Sequence, residues 1–135
     1  MVDAIEALAD GIMSREGWHA GSRSNRNRNP GNLRDSSLKS GEDAGGYAIF
    51  PSFVVGYNAL TNDLKDKFVG LTRTGLSPES TFAEFMNVYA PSEDHNDPAS
   101  YCQFLCGWLR MASGITVTPE TLLGDIWKPP AAPGS

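Results

Sequence analysis

The sequence predicts a mainly helical α+β domain of about five helices and one small β-hairpin, and three observations predict it. Apolar residues recur at spacings of three and four along the longer segments, which is the helical period. These segments open on Asp, Ser, Thr or Pro and stop at Gly or just before Pro. Runs with β propensity are confined to one place, around a Gly- and Ser-containing connection between residues 32 and 50.

Residues 3–16 carry Ile5, Leu8, Ala9, Ile12 and Met13 along one helical face, with Gly17 as the stop signal. Residues 19–31 show no apolar period and close on "NPGN", a turn signal. Short strands are expected at about 32–36 and 46–50, joined through "SLKSGEDAGG". The second helix lies in "PSFVVGYNALTNDLKDKF", opened by Pro51 or Ser52, with Phe53, Tyr57, Leu60, Leu64 and Phe68 as its stripe. "TFAEFMNVYAP" follows, with Thr81 and Glu84 at capping-box spacing and a stop before Pro91. "DPASYCQFLCGWLRMASG" has Asp97 as N-cap, Pro98 at the first helical position and Gly114 past its end. "TPETLLGDIW" repeats that opening with Thr118 and Pro119. Together these make one domain over 1–127, with a linker-like tail, "KPPAAPGS", at 128–135.

A length of 135 residues fits a single core, and 40% hydrophobic with 20% charged residues is an ordinary globular composition. No apolar run suggests a membrane span, and the N-terminal segment lacks the basic start and hydrophobic stretch of a signal peptide. A net charge of −5 argues against a nucleic-acid partner. The positive charge is nevertheless clustered: Arg15, Arg23, Arg26, Arg28 and Arg34 fall close together, enough to bind an anion or a sugar carboxylate locally. Cys102 and Cys106, four apart on a helix, read as small buried hydrophobes rather than a disulfide or a metal site. His19 and His95 read as surface residues, so neither metal nor cofactor is expected.

Glu16 is the residue to single out. It lies four after Ile12 and three after Met13, so it continues the buried stripe into the last helical turn. Partial burial and the helix dipole there both favour the protonated carboxylic acid, which is the form that donates a proton to a glycosidic oxygen. Taken alone, a helix-end glutamate is more simply a surface partner for an arginine. The following "RNRNPGNLR" adds weight: its Pro-Gly turn is tight, and asparagines on each side can bond the loop's own amides or a sugar. Trp18, Tyr47, Tyr57, Tyr89 and Tyr101 are aromatic candidates for a sugar platform, with Tyr57 and Tyr101 reading first as core; Trp108 and Trp127 read as core or docking residues. A second carboxylate, if the chemistry needs one, comes from Asp35, Glu42 or Asp43, with Asp43 the weak preference and a solvated turn acid its plainer reading.

"SREGW", "RNRNPGNLR", "GGYAIFPSFVVGYNAL" and "MNVYAPSEDHNDPASYCQFL", in that order from about residue 5 to 110, resemble the phage and bacterial lysozyme-like domains that cleave peptidoglycan. The resemblance implies a lysozyme-like α+β fold whose catalytic acid ends the first long helix, the place of Glu16. It implies a cleft bordered by Asn29, Pro30, Gly31 and Asn32, and Tyr89 closing the site beside the sugar. Trp18, Arg34 and Tyr47 complete the expected substrate-binding set. Arg28 departs from the pattern, where asparagine is usual, as do His95, where glycine is, and the composition of the hairpin loop. The implied activity is muramidase-type hydrolysis of β-1,4 bonds by a monomer at the cell wall, whether periplasmic, extracellular or virion-associated. A lytic transglycosylase releasing 1,6-anhydro products is the alternative, and a non-catalytic wall-binding or virion structural module the rival of a different class.

Overall fold

The computed structural model describes residues 3–91 and 96–130; His95 and the end of the tail lie outside them. Four long helices make the frame: α1 (Ala4–Arg15), α3 (Phe53–Val69), α4 (Phe82–Tyr89) and α5 (Pro98–Ser113). Two single-turn helices, α2 (Arg23–Arg26) and α6 (Leu123–Ile126), and an antiparallel pair, β1 (Gly41–Glu42) with β2 (Ala48–Ile49), complete the described elements. The protein is therefore mainly helical α+β. None of its described helices is long and apolar enough to cross a membrane.

The long helices begin where side chains satisfy their first amides. Asp3 accepts from the amides of Ile5 and Glu6, Ser52 from Val55, and Asp97 from Ser100. Thr81 and Glu84 form a reciprocal capping box. α3 and α5 end in left-handed glycines, Gly70 and Gly114. α1 packs against α5 and α3, and α4 against α5. Between them Ile5, Leu8, Ile12, Leu60, Leu64, Phe68, Phe85 and Leu105 are wholly buried, each contributing roughly 1.5–3 kcal/mol. A smaller cluster of Leu33, Ala48, Phe50 and Ala59 seats the hairpin on α3.

Four expectations need correction. The hairpin's first strand is not 32–36 but 41–42. Leu33 reaches the second strand by a single bond, accepted from the Ala48 amide, and its own amide is taken by the Asn29 side chain, so no ladder extends there. The unpatterned stretch 19–31 contains α2, nucleated by Ser22, whose hydroxyl accepts from the Asn25 amide. Thr118 does not open a helix: it closes a turn with Thr121, and backbone bonds from Phe82 to Thr121 and from Leu123 to Ser80 hold the chain extended until α6. Phe53 does not join the buried stripe of α3; it is 40% exposed and carries the edge of Trp18. Six helices are thus described where five were expected, the extra one being α2.

Cys102 and Cys106 are free thiols on α5, the first buried and the second half-buried. Burial pushes the Cys106 thiol up to about 12, so it is held protonated and unreactive. Trp108 donates from its indole to the Ala7 carbonyl and ties α5 to α1.

Arg28 adopts a left-handed backbone, φ 51°. A long side chain is disfavoured there, whereas asparagine tolerates the conformation. The backbone thus explains why asparagine suits this position, with no ligand contact required. Arg28→Asn is expected to raise stability by about 0.5–1 kcal/mol, read as a higher midpoint in urea with unchanged slope.

Candidate active site

Glu16 is the C-cap of α1, with its amide bonded to the Ile12 carbonyl. Gly17 follows at φ 77°, and bonds from Gly17 to Ser14 and from Trp18 to Met13 close a Schellman motif. That reversal sends Trp18 toward Phe53, 5.3 Å between ring centroids, while the Glu16 side chain stays half-buried on the other side of the turn. Its carboxylate takes two hydrogen bonds: the Tyr101 hydroxyl donates to Oε2 at 2.8 Å, and the Asn32 amide nitrogen to Oε1 at 3.2 Å. Tyr101 comes from α5, so the contact spans eighty-five positions of sequence.

The second tyrosine, Tyr89, ends α4 and donates to the Gly31 carbonyl at 2.9 Å. Burial, above all, keeps both phenols protonated; the negative charge of Glu16 pushes each further in that direction. Both are therefore fixed donors. Arg15 stacks over the Tyr101 and Phe104 rings at 5.4 and 5.6 Å, and Lys67 over Tyr89 at 5.7 Å.

The loop from Asn27 to Leu33 is held from inside. Asn29 is fully buried: its amide donates to the carbonyls of Leu33 and Ala48, and its oxygen accepts from Leu33. It is a structural residue with no polar atom left for a sugar. Asn27 donates to Asp43 Oδ2 at 2.9 Å, and the Phe50 amide bonds back to the Asn27 carbonyl. Asn32 differs. Its backbone is left-handed, φ 49°, and its side-chain oxygen is buried with no hydrogen-bond partner among the described residues. Asparagine tolerates that backbone, but the unsatisfied acceptor sits on a residue touching Glu16 and is a cost that a fold tolerates at functional sites.

These parts surround a cleft of about 420 Å³ lined by Glu16, Asn32, Arg34, Asp35, Tyr47 and Tyr89 among the expected residues. A hollow of about 370 Å³ shares Leu33, Asp35 and Asp63 with it, so the depression continues along α3. Trp18, Asn29 and Asp43 do not line the cleft. Asp43 instead builds the hairpin turn, accepting from the Gly45 and Tyr47 amides at 2.9 Å each. The bond from Asn27, then that from Tyr47, hold its carboxyl below the usual carboxylate range. Asp35 is ion-paired to Lys39 at 2.9 Å, which lowers it likewise. Arg23, Asp63, Lys67 and Asn96 also line the cleft, and Tyr101 buttresses Glu16 from behind. Asp63 and Lys67 are paired with each other across one turn of α3. In sequence that pair is indistinguishable from an ordinary surface pair. Among the described residues, no group of His, Cys, Asp or Glu is placed to hold a metal ion.

Because Asp43 is charged more readily when folded than unfolded, its contribution to stability is present above the ordinary value of 3.8 and is lost as pH falls through its depressed one. Asp43→Asn places an amide donor against the Asn27 amide and is expected to lower the melting temperature at neutral pH. The gap from wild type should close as both are melted at steps from about pH 5 down to pH 2.

Compared with known proteins, the chain matches no family model, no curated protein and no solved structure.

Proposed function

We propose that this protein is a lysozyme-like glycoside hydrolase that cleaves the β-1,4 bonds of bacterial cell-wall peptidoglycan, with Glu16 as the general acid. The observation that carries the reading is a half-buried carboxyl at the end of α1, oriented by Tyr101 and Asn32 and opening on a continuous cleft. The ordered motifs that resemble lysozyme-like domains support it from the side of sequence. A glycan strand suits the extended depression.

Among the described residues, the carboxylates lining the cleft are Glu16, Asp35 and Asp63, and the two aspartates are each bound to a lysine. Among these residues, that arrangement favours a one-carboxylate mechanism. Glu16 gives its proton to the leaving oxygen as the C1–O bond breaks, and the carbonyl oxygen of the substrate's own acetamido group bonds to C1. The Glu16 carboxylate then takes a proton from the attacking water, which opens the ring intermediate and restores the acid. If the sugar's 6-hydroxyl attacks in place of water, the product is a 1,6-anhydro sugar and the enzyme a lytic transglycosylase.

Mass spectrometry of peptidoglycan digests separates these outcomes. Reducing-end muropeptides that disappear with Glu16→Gln are the expected result. Products lighter by one water assign the transglycosylase reaction. No release by the wild type, together with retained wall binding, would replace the enzyme reading with a binding module.

A further inference from the structure

Among the described residues, the cleft holds a second sheltered carboxylate that the acid chemistry of Glu16 does not use. Asp63 stands on α3, one turn before Lys67, and the paired side chains are only 27% and 13% exposed. Lys67 donates to Oδ2 of Asp63 and lies over the Tyr89 ring at 5.7 Å. Oδ1 of Asp63 has no hydrogen-bond partner among the described residues, and unlike the Asn32 oxygen it is not buried. Asp63 borders both the cleft and the hollow beside it.

A run of cleft-lining groups joins Asp63 to Glu16. Tyr89, beneath Lys67, donates to the Gly31 carbonyl, and the next residue, Asn32, donates to Glu16. The Tyr89 phenol is kept protonated first by burial, then by the charges of Glu16 and Asp63, so both carboxylates lie close to it. Asp35, the other aspartate of the cleft, is 85% exposed, and water competes for its oxygens. Asp63 is instead held by a lysine that is packed on an aromatic ring, so its free oxygen is fixed before a ligand arrives.

A one-carboxylate mechanism has a use for such an acceptor. As the acetamido oxygen bonds to C1, the electron pair of the C1–O bond leaves with the glycosidic oxygen, which takes the Glu16 proton. The acetamido C–N bond gains double-bond character, and positive charge develops at its N–H. A carboxylate oxygen receiving that N–H turns the carbonyl toward C1, and its hydrogen bond strengthens as the charge grows.

We propose that Asp63 is a catalytic residue of this reaction: its Oδ1 accepts the N–H of the substrate's acetamido group, orients the carbonyl oxygen on C1 and stabilises the cationic ring intermediate. The proton stays on nitrogen throughout. This rests on reading the cleft as a wall-glycan site with Glu16 as the acid, and it makes a 2-acetamido group with a free N–H the feature that the site selects.

The test pairs a change in the protein with a change in the ligand, read by calorimetric titration. In Asp63→Asn the amide keeps its oxygen for Lys67 and turns its NH2 to the cleft, where donor meets donor. A thiazoline analogue of the ring intermediate is expected to bind Asp63→Asn about 10- to 100-fold more weakly than wild type, the loss of a charge-assisted hydrogen bond. On soluble glycan oligomers, Asp63→Asn should lower kcat with KM nearly unchanged. The ligand arm uses the Glu16→Gln protein, an N-acetylated wall oligomer, and the same oligomer with acetoxy in place of acetamido at the reacting sugar. Acetoxy keeps the carbonyl and lacks the N–H, so it should bind about tenfold more weakly, and the difference should vanish when Asp63→Asn is added. Equal thiazoline binding by wild type and Asp63→Asn would overturn the inference, as would equal binding of the two oligomers by the Glu16→Gln protein. That last comparison changes nothing at position 63, so a folding defect cannot mimic it. If the wild type cleaves nothing, the catalytic reading falls and the role of Asp63 with it. If it cleaves through Glu16 without selecting the N–H, Glu16 keeps its role and Asp63 loses its own.

Discussion

If Glu16 is the general acid as proposed, Glu16→Gln is expected to lower peptidoglycan turnover by on the order of 10²–10⁴-fold, the usual contribution of a positioned general acid, while the protein stays folded. The substitution keeps the shape of the side chain and one oxygen acceptor for Tyr101 or Asn32. The stability loss is therefore that of one imperfect hydrogen bond, about 1–3 kcal/mol. Catalysis is expected to lose more, because a carboxamide is far too weak an acid to transfer a proton to the leaving oxygen. Asp43→Asn is the informative comparison. Asp43 sits in the hairpin turn outside the cleft lining, so its replacement should weaken the fold and cost turnover far less than Glu16→Gln. Tyr101→Phe removes one of the two donors on Glu16 without emptying the core, and is expected to lower kcat with KM nearly unchanged. Steady-state rates on soluble glycan oligomers, with circular dichroism as the fold control, decide all three. An active Glu16→Gln protein would move the chemistry elsewhere.

The helices of the frame were legible because their signals are local. Asp3, Ser52, Thr81 with Glu84, and Asp97 cap within three residues of themselves, so the sequence window holds both partners. The site was legible only in part, because its bonds join distant positions. Glu16 could be singled out from its place on the stripe, but its partner Tyr101 looked like any core tyrosine of an amphipathic helix. The phenol does pack in the core, and its hydroxyl alone serves the site. Asn29 and Asn32 stand three apart in one motif with opposite employment, one wholly consumed by backbone groups and the other left with an unsatisfied oxygen. No pattern of residue types distinguishes them. Asp43 shows the same limit: a turn acid and a catalytic acid have the same letter, and the three hydrogen bonds that decide between them come from Asn27, Gly45 and Tyr47.

Gly56→Ala is expected to destabilise the protein by about 3 kcal/mol or more, roughly 10 °C in melting temperature, although Gly56 lies inside a helix where alanine is intrinsically better. The reason is a close approach. A Cβ on Gly56 would fall 1.9 Å from the Arg28 carbonyl oxygen and 3.1 Å from Pro30 Cδ, so the α3 backbone and the loop cannot both keep their places. A backbone oxygen cannot swing away as a flexible side chain does. The loop must move, and it carries Gly31, which receives Tyr89, and Asn32, which holds Glu16. Turnover is therefore expected to fall with stability, although Gly56 is not among the cleft-lining residues. Gly107→Ala supplies the opposite sign in the same experiment. It also lies within a long helix, α5, but a Cβ there meets nothing within 4 Å, so the helix propensity gain of about 1 kcal/mol is free to appear. Paired urea melts of the two variants separate close approach from propensity. Equal shifts would mean that α3 and the loop are not in contact at Gly56, and that the loop is not what positions Asn32 against Glu16.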